Sequence, residues 1–104
     1  MGFGDARAGL VEALRDEEFG AWGRADAHRK NWLESRRISA EEVRAMLLRC
    51  NGREHRESAH HGDASFLVHE FFPEWNGERW YVKAFFDTAT SVWVFMSVHP
   101  SEGR

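Results

Sequence analysis

The stretch "RWYVKAFFDTATSVWVFMSVH", residues 79–99, decides the fold of this chain. In the residues on each side of a short polar segment, side chains of similar polarity recur at every second position. This is the period of a β-strand. We therefore predict strands over 79–86 and 91–99, joined through 87–90 as a hairpin. Because the two strands of a hairpin run antiparallel, this stretch predicts an antiparallel sheet.

Alternation also divides the two strands into faces. We expect one face to pack under helices, and it would carry Trp80, Val82, Ala84, Phe86, Val92, Val94, Met96 and Val98. The other face is amphipathic and would carry Tyr81, Lys83, Phe85, Trp93, Phe95, Ser97 and His99. Either His69 or Glu70 joins this second face from the preceding strand, depending on register. The amphipathic face suits a second packing layer, a surface for stacked bases and phosphates, or a partner protein.

The segments before this hairpin also favour strands. Residues 65–72, "SFLVHEFF", predict a strand that stops at Pro73. Asn76-Gly77 then favours a tight hairpin turn, since both residues tolerate positive φ. "REHRESAH", residues 53–60, is polar enough to predict an edge strand that ends in a loop.

The first half of the chain has helical periodicity. Residues 5–19 predict a helix capped by Asp5, with Leu10, Val11 and Leu14 as its apolar stripe. "DAHRKNWLESRR" predicts a second helix, which begins near Asp26 and buries Trp32 and Leu33.

The third helix has the clearest signals. Ser39 precedes "AEEV" and Glu42 follows it by three positions, which is a capping-box pattern. Val43, Met46, Leu47 and Cys50 follow at helical spacing, and Asn51-Gly52 ends the helix. Helices followed by a meander predict an α+β fold, with about three N-terminal helices on a C-terminal antiparallel meander of three to four strands. The length of 104 residues suits a single domain over 1–104, with a helical extension over 1–23, a helical pair over 24–51 and a sheet over 53–99.

Charge and cysteine content limit the function classes. The net charge of −3 argues against a wholly basic nucleic-acid binder, but residues 24–56 hold nine basic and five acidic side chains. A single cysteine, Cys50, excludes an internal disulfide and favours a reducing, cytoplasmic location. We expect no signal peptide and no membrane partner, because the chain has no basic leader and no apolar run approaching the roughly 20 residues of a membrane span.

The histidines are the main candidates for chemistry. His60 and His61 are neighbours that point to opposite faces of an extended chain, and no HxxxH or HExxH pair exists. We therefore expect no metal and no cofactor. Histidine titrates near neutral pH and suits acid–base catalysis, for which cleavage of RNA by its own 2′-hydroxyl needs no metal. His28, His69 and His99 lie in or beside predicted elements that can hold them in place.

The stretch "AHRKNWLESRRISAEEVRAML", residues 27–47, resembles small prokaryotic toxins of the RelE-like superfamily, especially their BrnT and MqsR branches and a related family of unknown function. "ERWYVKAFF" and "VWVFMSVHP" look like the closing hairpin of that family. The residues that fit the spacing of its helical motif are His28, Arg36, Ile38, Ser39 and Val43.

The resemblance implies a type II toxin, which is a metal-independent ribonuclease acting on mRNA and neutralised by a cognate antitoxin protein. It implies catalytic roles for His28, Arg36 and Lys83, and strand alternation adds His99. The face pattern and the basic middle of the chain suggest an RNA-binding set of Arg53, Arg56, His69, Tyr81 and Trp93. The alternative is a non-enzymatic protein-binding module, an immunity or antitoxin-like partner that docks through the aromatic sheet face.

Overall fold

The structure, a computed structural model, describes residues 2–22, 30–59 and 67–101. These ranges contain two α-helices, α1 (Phe3–Asp16) and α2 (Ala40–Arg49). They also contain six strands: β1 (Phe19–Ala21), β2 (His55–Ala59), β3 (Leu67–Phe71), β4 (Glu74–Trp75), β5 (Glu78–Asp87) and β6 (Val92–Pro100). The predicted α+β class is confirmed. The sheet contains the predicted meander and, in addition, two short strands that were not predicted, β1 and β4.

The main sheet has the order β1-β6-β5-β3-β2. All its neighbours are antiparallel except β1, which pairs in parallel with β6. The predicted turn at Asn76-Gly77 is confirmed, with φ angles of 53° and 78°, and it joins β4 to the start of β5. β2 lies at the edge of the sheet as predicted, although Gly52–Glu54 form a 3₁₀ turn and the strand starts at His55.

The first helix differs from its prediction at both ends. It begins at Phe3 with Gly2 as its N-cap, so Asp5 lies in the first turn and does not cap the helix. It ends at Asp16, because Glu17 adopts a left-handed conformation with φ 55°. The chain then continues as β1, where the Phe19 ring contacts the Phe95 ring edge-on at 5.4 Å. Sheet hydrogen bonds and this ring contact replace the last helical turn that periodicity predicted.

The predicted second helix does not continue through residues 31–37. Asn31 forms a parallel bridge with Val98, and its buried side-chain amide donates a hydrogen bond of 3.2 Å to the carbonyl of Phe95. Turns follow, and Arg36 has a positive φ of 65°. Backbone pairing with the sheet edge therefore outweighs helical propensity here, while the predicted start at residues 26–29 lies outside the described residues.

The capping box of α2 is confirmed. The Ser39 hydroxyl accepts from the Glu42 N–H at 3.1 Å, and the Glu42 carboxylate accepts from the Ser39 N–H at 3.2 Å. The helix ends at Arg49, earlier than the predicted Asn51-Gly52, with Cys50 as its C-cap. Cys50 is buried, and burial raises the pKa of its thiol to about 12, so this cysteine is a packing residue. Neither helix in the described ranges has the length and apolar character needed to cross a membrane.

A β-bulge in β6 decides which side chains face the helices. Lys83 pairs with Ser97, but the next residue, Ala84, pairs with Phe95, so Met96 is one residue more than β5 can match. An extra residue moves every side chain beyond it to the opposite face. The alternation predicted for β6 is therefore right on only one side of the bulge.

The prediction was wrong for the first half of β6. Trp93 and Phe95 lie in the core with Val82 and Ala84, on the side of the sheet that faces α1 and α2. Two side chains predicted for the core, Val94 and Met96, instead lie on the opposite side. We call that opposite side the outer face; it carries Tyr81, Lys83, Phe85, Val94, Met96, Ser97 and His99.

At Gly9, α1 passes close over the sheet. A β-carbon at Gly9 would lie 2.6 Å from Nε1 of Trp93, whose ring is buried and contacts Phe86 and His69. Gly9→Ala should therefore lower the free energy of unfolding by about 1–3 kcal/mol through overpacking, although helix propensity alone would raise it by about 1 kcal/mol.

Urea denaturation of Gly9→Ala measures this loss, and Gly4→Ala in the same helix is the matched control. A β-carbon at Gly4 meets nothing within 4 Å, so that variant should keep or slightly gain stability. Equal stability changes in the two variants would contradict the close approach of α1 to Trp93.

Candidate functional site

The outer face carries a row of polar side chains across four strands. Arg56, Glu70, Lys83 and Ser97 lie in register on β2, β3, β5 and β6. Tyr81 and His99 form the next cross-strand pair on the same face, with their rings 5.5 Å apart. We call these six residues the outer-face cluster. The cluster brings three basic side chains, one carboxylate and two hydroxyls onto one surface.

Glu70 is the fixed centre of the outer-face cluster. Its side chain is only 8% exposed and accepts hydrogen bonds from Arg56 Nε at 2.8 Å and from the Tyr81 hydroxyl. Burial acts to raise the pKa of the Glu70 carboxyl, but these two hydrogen bonds and the charges of Arg56 and Lys83 outweigh it and hold the pKa below its usual value. The pKa of Tyr81 is raised by burial and by the Glu70 carboxylate, so the phenol stays protonated. Glu70 therefore positions Arg56 and Tyr81.

Removing the charge of Glu70 should change how stability depends on pH. Because folding lowers its pKa, Glu70 stabilises the fold fully above its ordinary value of 4.5, and this contribution is lost as pH falls through the lower native pKa. Glu70→Gln should cost about 1–2 kcal/mol at neutral pH, as charge-assisted hydrogen bonds become neutral ones.

The measurement is urea denaturation of wild type and Glu70→Gln at a series of pH values. We expect their difference in unfolding free energy to shrink as pH falls below 4.5. Glu74→Gln, at an exposed position on β4, is the control and should track wild type throughout. A difference between wild type and Glu70→Gln that does not change with pH would contradict an ionised Glu70.

His99 is held in a single tautomer when its ring is neutral. Its Nδ1 lies 2.8 Å from the carbonyl oxygen of Pro100, which can only accept a hydrogen bond. Nδ1 therefore carries the hydrogen, and Nε2 is left with a lone pair that can take a proton. When the ring is protonated, Nε2–H becomes a donor. The backbone of β6 thus orients this imidazole for proton transfer at Nε2.

His99 also lines a cleft of about 750 Å³ at the end of β6. The other residues that line this His99 cleft are Lys30, Trp32, Arg37, Glu78, Pro100 and Ser101. The guanidinium of Arg37 stacks over the half-buried Trp32 ring at 5.1 Å. The two cations, Lys30 and Arg37, can bind a phosphate group, and the Trp32 ring can stack against a base. The His99 imidazole and the Glu78 carboxylate are groups that can accept and donate protons. The cleft therefore combines binding and acid–base groups.

The structure brings together four of the residues predicted for the site. Arg56, Tyr81, Lys83 and His99 all belong to the outer-face cluster. Of the two register alternatives for β3, Glu70 joins this face. Tyr81 is half-buried and Lys83 is partly exposed, as expected of groups at the surface of a sheet.

Other predicted site residues lie elsewhere. Trp93 and His69 are 6% and 2% exposed and face α1, so neither lies on the outer face. Arg36 is exposed beside a separate depression lined by Glu17, Phe19 and Ser39, and the next residue, Arg37, lines the His99 cleft.

One further predicted residue, Arg53, does not line the cleft. Arg53 is exposed in the 3₁₀ turn before β2, where its backbone N–H donates to the Asn51 side chain at 2.9 Å. His28 lies outside the described residues, as do His60 and His61.

Sequence reasoning missed several groups that the fold brings together. Lys30, Trp32 and Arg37 lie in a segment that was predicted as helix, and a helix would have placed Trp32 on the side opposite to Lys30 and Arg37. The available signal was the basic middle of the chain, which contains both cations.

A second group was missed because its members meet across strands. His55, Glu57 and His69 lie on the helix-facing side of β2 and β3, with potential ligand atoms all within 4.8 Å of one another. The prediction of no metal site was based on the spacing of the histidines along the chain. Such spacing gives no information about residues that meet across neighbouring strands of a sheet. The pattern His-x-Glu in a strand, which places both side chains on one face, was the signal.

No protein-family model, no curated protein and no solved structure matches the chain. The resemblance to RelE-like toxins therefore remains a prediction, and the function has to be inferred from the site itself.

Proposed function

We propose that this protein is a toxin-like, metal-independent endoribonuclease that cleaves RNA in the His99 cleft. The observation that carries the proposal is the environment of His99. Its imidazole is held in one tautomer by the Pro100 carbonyl and shares a cleft with Lys30 and Arg37. A proton-transfer group beside two cations is what cleavage of a phosphodiester by its own 2′-hydroxyl requires.

In the proposed reaction the 2′-oxygen of RNA attacks the adjacent phosphorus. A base takes the 2′-hydroxyl proton as the new O–P bond forms, the bond from phosphorus to the 5′-oxygen breaks, and an acid protonates that oxygen. The products are a 2′,3′-cyclic phosphate and a 5′-hydroxyl. All atoms come from RNA and the two proton-transfer groups, so no metal takes part.

His99 and Glu78 are the acid–base pair that the described part of the cleft supplies. A carboxylate suits the base and a protonated imidazole the acid, so we assign Glu78 to the 2′-hydroxyl and His99 to the leaving 5′-oxygen. Lys30 and Arg37 would stabilise the charge that builds on the phosphate, and Trp32 would support a base by stacking. His28, implied by the resemblance, is the further acid–base candidate.

The outer-face cluster extends this site along the sheet. Tyr81 contacts His99, and Lys83 on β5 and Arg56 on β2 lie on either side of Glu70, so a row of two cations and one carboxylate leads away from the cleft. Such a row suits the backbone of RNA beyond the cleaved bond, because each cation pairs with a phosphate. Glu70 holds Arg56 in place in that row.

The remaining elements of the proposal follow the resemblance: a cognate antitoxin protein as partner and a cytoplasmic location. The alternative, a protein-binding module, depends on a continuous aromatic sheet face. Trp93 and Phe95, two of the aromatic residues it needs, are buried under the helices. The structure thus gives the nuclease proposal more support than the binding module.

RNA cleavage by the purified protein, with a chelator present, tests the proposal. We expect products ending in 2′,3′-cyclic phosphate, and growth arrest when the chain is induced in a bacterial host. Intact RNA together with unimpaired growth would overturn the nuclease. Products ending in 3′-hydroxyl would overturn the mechanism, since they require attack by water or a metal-bound nucleophile.

A further inference from the structure

The first observation concerns the register between β2 and β3, the two strands at one edge of the sheet. Glu57 pairs with His69 across β2 and β3, and His55 pairs with Phe71. Cross-strand partners project to the same side, and residues two apart on one strand share a face. His55, Glu57 and His69 are therefore fixed on the helix-facing side by backbone pairing. This is the side opposite to the outer-face cluster.

The second observation is their geometry. Nε2 of His55 lies 3.0 Å from Nδ1 of His69, and a Glu57 carboxylate oxygen lies 3.8 Å from the same Nδ1. Ligands at 2.0–2.1 Å from a tetrahedral ion are separated by about 3.3 Å. The two distances fall on either side of this value, and all three ligand atoms lie within 4.8 Å of one another, so side-chain movements alone would bring the three groups onto one ion.

The hydrogen bond between the two rings is compatible with metal binding. His55 and His69 face each other through Nε2 and Nδ1. In the absence of an ion, one of the two facing nitrogens must carry the hydrogen of their hydrogen bond. Binding needs both lone pairs, so that hydrogen moves to the other nitrogen of its ring, with no net loss of a proton.

The surroundings form an apolar shell with one open side. The Phe3 ring of α1 lies 5.5 Å from His55, and the Trp93 ring lies 5.8 Å from His69. His69 is 2% exposed, whereas the Glu57 side chain is 37% exposed. An ion can therefore enter past Glu57, and a water molecule can complete its coordination from that side.

We propose that His55, Glu57 and His69 form a binding site for zinc or a similar first-row divalent ion, which ties the edge strand β2 to β3 beneath the start of α1. Two imidazoles and one carboxylate are a known ligand set for zinc, while magnesium prefers oxygen ligands. The site is separate from the His99 cleft. Its role is to hold the hairpin, and it does not depend on the nuclease proposal.

Titration of the metal-free protein with Zn²⁺ tests the site, with native mass spectrometry for stoichiometry and calorimetry for affinity. We expect one ion per chain and a rise in Tm of more than about 5 °C at saturating zinc, because the ion binds the folded state. Mg²⁺ at the same concentration should leave Tm unchanged.

Three variants locate the ion. His55→Ala and Glu57→Gln should each weaken zinc binding by more than about tenfold, since even residues that only support ligands contribute that much. Glu57 is partly exposed, so Glu57→Gln should fold like wild type and keeps the test valid if His55→Ala does not fold. The double variant His60→Ala/His61→Ala removes two histidines of the adjoining segment and should retain full affinity.

Three outcomes would overturn the site. One is the absence of a one-to-one complex. The second is affinity in Glu57→Gln equal to that of wild type. The third is loss of binding in the His60→Ala/His61→Ala variant, which would assign the ion to that pair.

Discussion

Replacing His99 by alanine is expected to lower the rate of RNA cleavage by about 10²–10⁴-fold, the usual contribution of one acid–base group. Its free energy of unfolding should change by less than about 1 kcal/mol, because the ring is only half-buried and makes one hydrogen bond within the described residues. The measurement is single-turnover cleavage of a short RNA at saturating enzyme. If His99 transfers a proton, the variant should lose most of its cleavage rate and keep its free energy of unfolding.

Rescue separates chemistry from positioning in this variant. Free imidazole added to His99→Ala can enter the space left by the side chain and supply the missing group, so part of the cleavage rate should return. Lys83→Ala should behave differently, with weaker RNA binding, a salt dependence reduced by about one phosphate contact and no response to imidazole.

Arg15→Ala is the control for lost charge in these experiments. Arg15 is an exposed cation on α1 that pairs with Asp16, away from the sheet. This variant should cleave RNA at the wild-type rate. If His99→Ala kept full activity, His99 would have no part in catalysis and the proposed cleft would be wrong.

Truncation of Trp93 should have the largest effect on stability. Trp93→Ala is expected to lower the free energy of unfolding by about 3–5 kcal/mol, because it leaves a cavity beneath α1 where the ring now packs. The ring is 6% exposed and contacts Phe86 at 5.4 Å and His69 at 5.8 Å. Urea denaturation measures the loss, and RNA binding at a temperature where the variant stays folded measures any functional part.

Leu48→Ala is the matched control for this truncation. Leu48 is 54% exposed on α2, so its loss should change stability by no more than about 0.5 kcal/mol. If Trp93→Ala were as stable as wild type but unable to bind RNA, the indole would have to lie on the outer face. The register of β5 and β6 that places a bulge at Met96 would then be wrong.

The parts of the fold that depend on local chemistry were predictable from sequence. The capping box at Ser39 and the turn at Asn76-Gly77 are set by neighbouring residues, and both are confirmed. The alternation of β5 is also confirmed, because the extra residue of the bulge lies in β6 and β5 itself is not interrupted.

The bulge at Met96 was not predictable, because it is a property of pairing between two strands. No glycine or other special residue marks it, and the backbone there has no positive φ. One unmatched residue was enough to move Trp93 and Phe95 from the predicted binding face into the core. Ser97 and His99, beyond the bulge, kept the side that matches Tyr81 and Lys83.

The candidate site was predictable only in part for a related reason. His99, Lys83 and Tyr81 follow from strand period alone. The cleft around His99 also needs residues 30–37, whose conformation depends on the distant pairing of Asn31 with Val98. Likewise His55, Glu57 and His69 meet through the register of two strands, which neither composition nor spacing determines.

The position of β6 has a consequence for how the protein is made. This strand lies between β1 and β5, yet the ribosome synthesises it after the other five strands that the structure describes. Strand β1 and the segment around Asn31 lack their pairing partner until residues 92–100 have emerged from the exit tunnel. A nascent chain therefore lacks the assembled His99 cleft until these residues have emerged. If the cleft cleaves RNA, the messenger that encodes it is spared until then.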